Sequence, residues 1–94
     1  MVTLRIQHPV MDFERWKAAF ESDPADRRAS GVTRYSIHRP VDDPNFVIID
    51  LEFGTAEEAG GLLATMQKVW ASGSAPIGAT PDARIVETVE TVEL

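Results

Sequence analysis

The chain has 94 residues, of which 44% are hydrophobic and 26% are charged, which is the composition of a small globular protein. Its 15 acidic and 9 basic residues give a net charge of −6, which argues against nucleic acid or an anionic membrane as a partner because both require a cationic surface. Cysteine is absent, which excludes disulfides, thiolate metal ligands and a cysteine nucleophile. With no signal-peptide pattern and no apolar run of about 20 residues, we expect a cytoplasmic protein.

The first part of the chain has the pattern of a strand followed by a helix. Apolar and polar residues alternate over 2–7, which predicts a strand because strand side chains point alternately to opposite faces. His8 continues the apolar face of that strand. Asp12 is the predicted N-cap of the helix, since its carboxylate can accept amide hydrogens of the first turn. The apolar face of this helix carries Phe13, Trp16 and Phe20.

The segment after this helix contains further turn signals. Asp23 and Pro24 have the pattern of a second helix cap with proline at the first helical position. We therefore expect a break near Ser22 and one or two more turns through Ala29. Gly31 is the predicted C-terminal cap of that piece.

Two strand-forming runs follow, residues 32–39 and 46–53, separated by a turn. The second run is the most apolar segment of the chain, as expected of a central strand. Thr55 and Glu58 have the spacing of a capping box, in which each side chain satisfies a group at the start of a helix. They predict a second helix over 56–71.

The last part of the chain is less regular. Gly60 and Gly61 weaken the second helix by roughly 1 kcal/mol each relative to alanine, unless they allow close approach to another backbone. Gly73 is the predicted helix end within a loop over 72–82. The run 84–94 is rich in valine and threonine and predicts a strand, but its valines and glutamates recur every third residue. A β-bulge, or an extension past its own sheet, would reconcile that period with a strand.

The predicted order of elements is strand, helix, strand, strand, helix, strand. This is the split βαβ, or ferredoxin-like, pattern of the α+β class, with a four-stranded antiparallel sheet. We expect residues 1–94 to form a single domain. A domain of this size buries only about 60–65% of the surface of its unfolded chain, so self-association would add useful burial.

Several short segments resemble a known superfamily. They are His8-Pro9-Val10, Asp12-Phe13, Trp16-Lys17, Gly31-Val32 and Asp42-Asp43-Pro44-Asn45. In these segments the chain resembles small dimeric α+β barrel proteins of the antibiotic-biosynthesis-monooxygenase-like and cyclase-like kind. The resemblance implies a ferredoxin-like subunit that pairs as a homodimer, so that two four-stranded sheets form a barrel. It also implies that any ligand cavity lies between the helices and the sheet.

The chain departs from the haem-degrading proteins that it resembles. Those proteins use a histidine on the second helix as an iron ligand, whereas residues 56–71 contain no histidine. They also place an asparagine on the first strand, where this chain has Arg5, Gln7 and His8. The sequence contains no nucleotide-binding glycine loop and no zinc signature. We therefore expect a protein that carries no haem, flavin or tightly bound metal.

His8 is the candidate catalytic residue, and two interpretations of it remain open. Its ordinary pKa lies near neutrality, so it can serve as a general base or as a hydrogen-bond partner of a substrate. Alternatively, it stabilises the corner between the first strand and the first helix through a backbone hydrogen bond.

The candidate walls of a ligand pocket share an aromatic or sulfur-containing side chain and a predicted position between helices and sheet. They are Trp16, Tyr35, Met66 and Trp70. One polar group among such side chains is a common arrangement for orienting a small apolar ligand. The same residues are equally compatible with a filled hydrophobic core, because aromatic residues at helical spacing are usually core.

The other face of the predicted sheet is polar and charged. It carries Arg5, Arg34, Ser36, His38, Asp50 and Glu52, together with Phe46 and Ile48. If this face packs on a second subunit its charges must be paired, because an unpaired buried charge is costly. The apolar residues among these charges are the basis for predicting a homodimer. A metal site built from the histidine and the two carboxylates has no supporting ligand spacing.

Three functional hypotheses follow from the sequence. The first is a cofactor-independent oxygenase or cyclase-like enzyme acting on an aromatic or polyketide-like small molecule. The second is a protein that binds such a molecule without turnover, and the third is a self-associating structural domain with a filled core. An open cavity that reaches solvent at His8 would favour the first two.

Overall fold

The described part of the chain, residues 2–22, 27–71 and 81–94, forms four strands and two helices in a computed structural model. In chain order these are β1 (Val2–Pro9), α1 (Phe13–Glu21), β2 (Arg34–His38), β3 (Phe46–Phe53), α2 (Ala56–Ala71) and β4 (Asp82–Glu87). The strands make one antiparallel sheet in the order β2-β3-β1-β4. This order confirms the predicted ferredoxin-like fold.

The core lies between the sheet and the helices, along the two central strands. In the β1–β3 pairing Leu4 lies opposite Leu51 and Ile6 opposite Ile49, so alternate residues of both strands point to the same side. All four of these side chains are at most 3% exposed. On the helix side of the core, α1 contributes Trp16, and α2 contributes Ala59 and Leu62.

Helix α1 begins where the sequence predicts. The Asp12 carboxylate accepts hydrogen bonds from the backbone amides of Glu14, at 3.0 Å, and Arg15, at 3.3 Å. The helix ends at Glu21 with Ser22 as its C-cap, so the predicted break near Ser22 is confirmed. The predicted second cap at residues 23–24 lies outside the described residues.

A glycine-terminated turn leads from α1 to the edge strand β2. The backbone amide of Val32 donates to the carbonyl of Arg27 at 3.0 Å, and the amide of Gly31 donates to that of Arg28 at 3.1 Å. Together these bonds form a Schellman motif, in which the residue after the last turn has a positive φ. The φ of Gly31 is +100°, which confirms its predicted role.

Helix α2 covers the predicted range 56–71 and begins at the predicted Thr55 cap, but the Glu58 carboxylate bonds to the Thr55 hydroxyl in place of the Thr55 backbone amide. The Thr55 hydroxyl accepts the Glu58 backbone amide at 3.2 Å and donates to the Glu58 carboxylate at 3.1 Å. The Glu58 side chain also packs against Gly31, where an added Cβ would lie 2.3 Å from its Oε2. By contrast, a Cβ at Gly60 or Gly61 would meet nothing within 4 Å, so no close contact with another described backbone segment explains those glycines.

The predicted terminal strand over 84–94 is wrong in its extent. Strand β4 spans Asp82–Glu87 and pairs with β1, while residues 88–94 are not in a strand and are exposed. The physical reason is the length of the partner: Glu87 already lies opposite Val2, where β1 begins. The chain therefore extends past its own sheet, which was one of the two explanations for the period of three.

The remaining strand boundaries differ from prediction by two residues or fewer. Strand β1 continues to Pro9, which lies opposite Phe46, and β2 spans only Arg34–His38. Thr33 precedes β2 but still hydrogen-bonds to the Glu52 carbonyl, through its amide at 2.8 Å and its hydroxyl at 3.2 Å. Neither described helix is both long enough and apolar enough to cross a membrane.

Candidate functional site

His8 lies at the end of β1, inside the layer between the sheet and α1. It pairs with Val47 in the β1–β3 register and is 3% exposed. Its imidazole meets the Trp16 ring edge to face, with 5.9 Å between the ring centroids. Because the Asp12 cap starts α1 four residues after His8, the first turns of the helix carry Trp16 back over the strand end. The predicted proximity of His8 and Trp16 is therefore present.

The ring nitrogens of His8 have different environments. Nδ1 lies 2.9 Å from the carbonyl oxygen of Pro9, and since a carbonyl can only accept, Nδ1 carries the hydrogen. Nε2 has no hydrogen-bond partner among the described residues, whereas every buried polar side-chain atom described has one. Burial lowers the pKa of His8, and the hydrogen bond to Pro9 opposes this only in part.

This arrangement gives His8 a defined chemical capacity. A neutral imidazole with its hydrogen held on Nδ1 presents the lone pair of Nε2. That lone pair can accept a proton or a hydrogen bond from a group that reaches it. The alternative interpretation of His8, as a residue that stabilises the corner between strand and helix, required a hydrogen bond to the backbone. The bond to the Pro9 carbonyl meets that requirement, so His8 can have both roles in this one geometry.

A row of aromatic rings continues from His8 toward the sheet edge. Trp16 stacks on Phe20 with centroids 5.2 Å apart, and Phe20 meets Tyr35 edge to face at 5.3 Å. Phe13 adds a tilted contact to Trp16 at 5.9 Å. Trp16 is buried while Tyr35 is 42% exposed, so the row runs from the core to the surface.

The other two predicted pocket residues, Met66 and Trp70, lie on α2. Both are partly buried and pack against the hydrophobic core. Within the described residues, no ring contact joins Trp70 to the row from His8 to Tyr35. The structure thus brings His8 and Trp16 into contact and links Tyr35 to them through Phe20, while α2 covers the core separately.

The face of the sheet without helices carries the predicted charged residues, and they form pairs. Arg5 donates to both Asp50 oxygens, at 2.8 and 3.1 Å, and these hydrogen bonds raise the pKa of Arg5. Arg34 donates to Glu52 at 2.7 Å. His38 Nε2 lies 3.9 Å from the Asp50 carboxylate. The charges on this face are therefore largely balanced before anything covers it.

A groove of about 350 Å³ crosses the same face beside β4. Its lining includes Arg5, Gln7, Asp82, Arg84 and Val86. Arg5 and Arg84 lie directly opposite each other in the β1–β4 register, and the nearest atoms of Arg84 and Asp82 are 3.9 Å apart. No group of three metal-ligating side chains occurs in the ranges that the structure describes.

Three arginine–aromatic contacts, made by two arginines, were not predicted from the sequence. The guanidinium of Arg27 lies 4.0 Å from the centroid of Phe20 and 5.1 Å from that of Tyr35. The guanidinium of Arg39 lies 4.3 Å from the centroid of Phe13. The only sequence signal was that Arg27 and Arg28 form the longest basic run of the chain. Their spacing does not indicate which rings they cover, because Arg27 reaches from the turn to α1 and β2, and Arg39 reaches from the end of β2 to α1.

No protein-family model matches the sequence, and no curated protein matches it either. Solved structures do share its fold. SnoaB, a cofactor-independent oxygenase from Streptomyces nogalater, superposes with a TM-score of 0.76 at 15% identity, over 97% of this chain and 95% of that one. An antibiotic biosynthesis monooxygenase gives a TM-score of 0.69 at 12% identity, over 96% of this chain and 100% of that one. A dimeric ferredoxin-like protein from an uncultured marine organism gives 0.64 at 8% identity, over 100% of both chains.

These comparisons establish the fold of the chain. It is the ferredoxin-like fold of antibiotic-biosynthesis-monooxygenase-like proteins, over nearly the whole length of each chain. The resemblance predicted from the sequence segments is confirmed at this level. At identities of 8–15%, these comparisons show a shared arrangement of strands and helices. They do not show a shared activity, because one fold supports many activities.

Proposed function

We propose that this protein is a cofactor-independent enzyme, of the oxygenase or cyclase-like kind, that holds a small aromatic molecule beside His8. The observation that carries the proposal is the state of this imidazole. It is buried against Trp16, its hydrogen is held on Nδ1, and its Nε2 lone pair has no partner among the described residues. The fold shared with the cofactor-independent oxygenase SnoaB supports the same reaction class.

The chemistry required of His8 is the removal of one proton. Nε2 would accept the proton of a phenolic hydroxyl or an acidic C–H group, leaving an electron-rich anion on the ligand. Such an anion can react with dioxygen, or it can attack a carbonyl of the same molecule and close a ring. The aromatic row formed by Trp16, Phe20 and Tyr35 would provide stacking surfaces for the flat body of the ligand.

We also propose that the protein is a homodimer in which the helix-free sheet faces pack against each other. On this face the charges are already paired, Arg5 with Asp50 on the two central strands and Arg34 with Glu52 at the β2 edge. Covering the central strands would therefore leave no isolated buried charge. Phe46 and Ile48 lie among those pairs and are only half-buried in the single chain. The marine protein of the same fold is itself dimeric.

The test of the enzymatic proposal uses dithranol, a hydroxyanthrone that reacts slowly with dioxygen without a catalyst. Purified protein should accelerate dioxygen uptake above this background, with no added metal or flavin. The variant His8→Asn should return the rate to background. A second outcome is that dithranol quenches the tryptophan fluorescence of the protein, while the protein accelerates neither dioxygen uptake nor the reaction of ring-closure substrates. In that case the second hypothesis, binding without turnover, is correct. If neither occurs, the filled structural domain is correct.

A further inference from the structure

A second groove lies along the edge strand β2, next to the pair of Arg34 and Glu52. It has a volume of about 320 Å³ and is formed between the Gly31 turn and β2. Its described lining residues are Arg27, Arg28, Val32, Thr33, Arg34 and Tyr35. Three of these six carry a positive charge, and none of those described carries a negative one. This is a concentration of cations on a chain whose net charge is −6.

Two of the arginines have donors available to a ligand. Arg28 is exposed, and its guanidinium has no ion-pair or hydrogen-bond partner in the described residues. Arg34 uses only its Nε to bind Glu52, which leaves its two terminal nitrogens without a described partner, and its side chain is 74% exposed. Terminal guanidinium nitrogens in this state match the two oxygens of a carboxylate.

The remaining walls are flat and fixed in position. Arg27 donates from Nη1 to the Phe20 carbonyl at 2.7 Å, and its guanidinium plane rests near the Phe20 and Tyr35 rings. Val32 is held by the backbone bond that closes the Schellman motif, and Thr33 is held by two hydrogen bonds to Glu52. The groove therefore combines a fixed side, formed by Arg27, Val32 and Thr33, with the exposed guanidinium groups of Arg28 and Arg34.

We infer that this groove is a binding site for a small organic carboxylate with a flat apolar body. The terminal nitrogens of Arg28 and Arg34 would bind the carboxylate, while Tyr35 and Val32 contact the body of the ligand. Tyr35 belongs to both proposed sites, but the inference does not depend on the reaction proposed for His8, because His8 does not line this groove.

The experiment compares naphthoate with naphthamide, a neutral molecule of nearly the same shape, as ligands of the full-length protein. Binding is measured by calorimetry and by shifts of the arginine Nε resonances in nuclear magnetic resonance spectra. Naphthoate should bind about tenfold more tightly than naphthamide or better, because an ion-paired hydrogen bond is roughly twice as strong as a neutral one. Its affinity should fall as salt is added.

Two matched variants locate the site. Arg28→Gln should weaken naphthoate binding about tenfold and leave naphthamide unchanged. Arg15→Gln removes an exposed arginine of α1 that does not line the groove, and it should have no effect beyond a small general change. Because Arg28 is exposed and lacks a described partner, its substitution should not lower the melting temperature.

The outcomes separate this site from the one at His8. If naphthoate binding responds to Arg28→Gln and not to His8→Asn, the groove is confirmed whatever the result of the dithranol assay. The inference is overturned if naphthoate and naphthamide bind equally, or if Arg15→Gln and Arg28→Gln have the same effect. It is also overturned if His8→Asn alone abolishes naphthoate binding.

Discussion

His8 combines a structural contact and a reactive atom in one side chain, and a single substitution can separate them. In His8→Asn the side-chain amide can still donate to the Pro9 carbonyl, as Nδ1 does at 2.9 Å, but no basic nitrogen remains. Turnover should fall by roughly a hundredfold or more, which is the usual contribution of a general base. The free energy of unfolding should change by only about 1 kcal/mol, through the lost ring contact with Trp16.

The comparison variant is His8→Ala, which loses both the hydrogen bond and the packing. Its free energy of unfolding should fall by about 1–3 kcal/mol. Dioxygen uptake and chemical denaturation measured on both variants distinguish the two roles. A His8→Asn protein with full turnover would show that His8 is only a structural residue.

Burial of His8 also predicts how stability depends on pH. The pKa of His8 is lowered in the folded protein, so between that value and the unfolded value of about 6.5 the unfolded chain binds more protons. The contribution of His8 to the free energy of unfolding is therefore complete above about pH 6.5 and is lost as the pH falls through the folded pKa.

Denaturation curves at about pH 7.5 and about pH 5.5 test this sign. The loss of stability on acidification should be smaller in His8→Asn than in the unmodified protein. His38→Gln is the control, since its side chain is 54% exposed, and it should retain the full loss. An equal loss in all three proteins would contradict the effect of burial.

Replacing glycine by alanine should have opposite effects on the free energy of unfolding in the turn at Gly31 and in helix α2. Gly31→Ala should lower the free energy of unfolding by about 1–3 kcal/mol, since a left-handed φ costs an L-residue about 1–2 kcal/mol and the new Cβ would displace Glu58. Gly61→Ala should raise it by about 0.5–1 kcal/mol, because Gly61 is exposed in a helix and has open space. Denaturant midpoints measure both changes.

A double-mutant cycle isolates the steric part of the Gly31 effect. Glu58→Ala alone removes the carboxylate that bonds to the Thr55 hydroxyl and should cost about 1 kcal/mol. The double variant of Glu58→Ala and Gly31→Ala should lose less stability than the sum of the losses in the two single variants. The reason is that the side chain which the new Cβ would displace is no longer there. Simple additivity would show that only the backbone conformation matters.

At the scale of the whole molecule, we predict a homodimer that forms through the helix-free face of the sheet. Light scattering on a gel-filtration column should give a species twice the chain mass of 10.4 kDa. Ile48→Glu should convert it to the single-chain mass, because a charge at the centre of the face would be buried without a partner. Val41→Glu, in a fully exposed turn, is the control and should remain a dimer. A single-chain mass for the unmodified protein would refute the pairing.

The C-terminal extension gives a second prediction at this scale. Residues 88–94 expose Val89, Val92 and Leu94, with exposed fractions of 90%, 63% and 119%. Since they lie outside the described sheet, a chain that ends at Glu87 should keep its melting temperature at low concentration, where it is monomeric. If the extension contacts the second subunit, the truncated chain should dissociate at a concentration about tenfold higher or more. An unchanged dissociation constant would show that the extension has no role in assembly.

The sequence by itself determined the order of the elements and the faces of the central strands. The alternation along 46–53, the Asp12 cap and the Thr55 cap depend on neighbours within a few residues, so local rules predicted them correctly. The Gly31 turn was predicted for the same reason, since only glycine adopts its φ at low cost.

Only the tertiary structure decided which distant groups meet. The end of β4 depends on where β1 begins, and the placement of Arg27 over Phe20 and Tyr35 depends on how the turn folds back over α1 and β2. The burial of His8 under Trp16 and the pairing of Arg5 with Asp50 likewise join segments through packing and strand register. Such contacts follow from the three-dimensional arrangement of whole elements, which no local pattern of residues specifies.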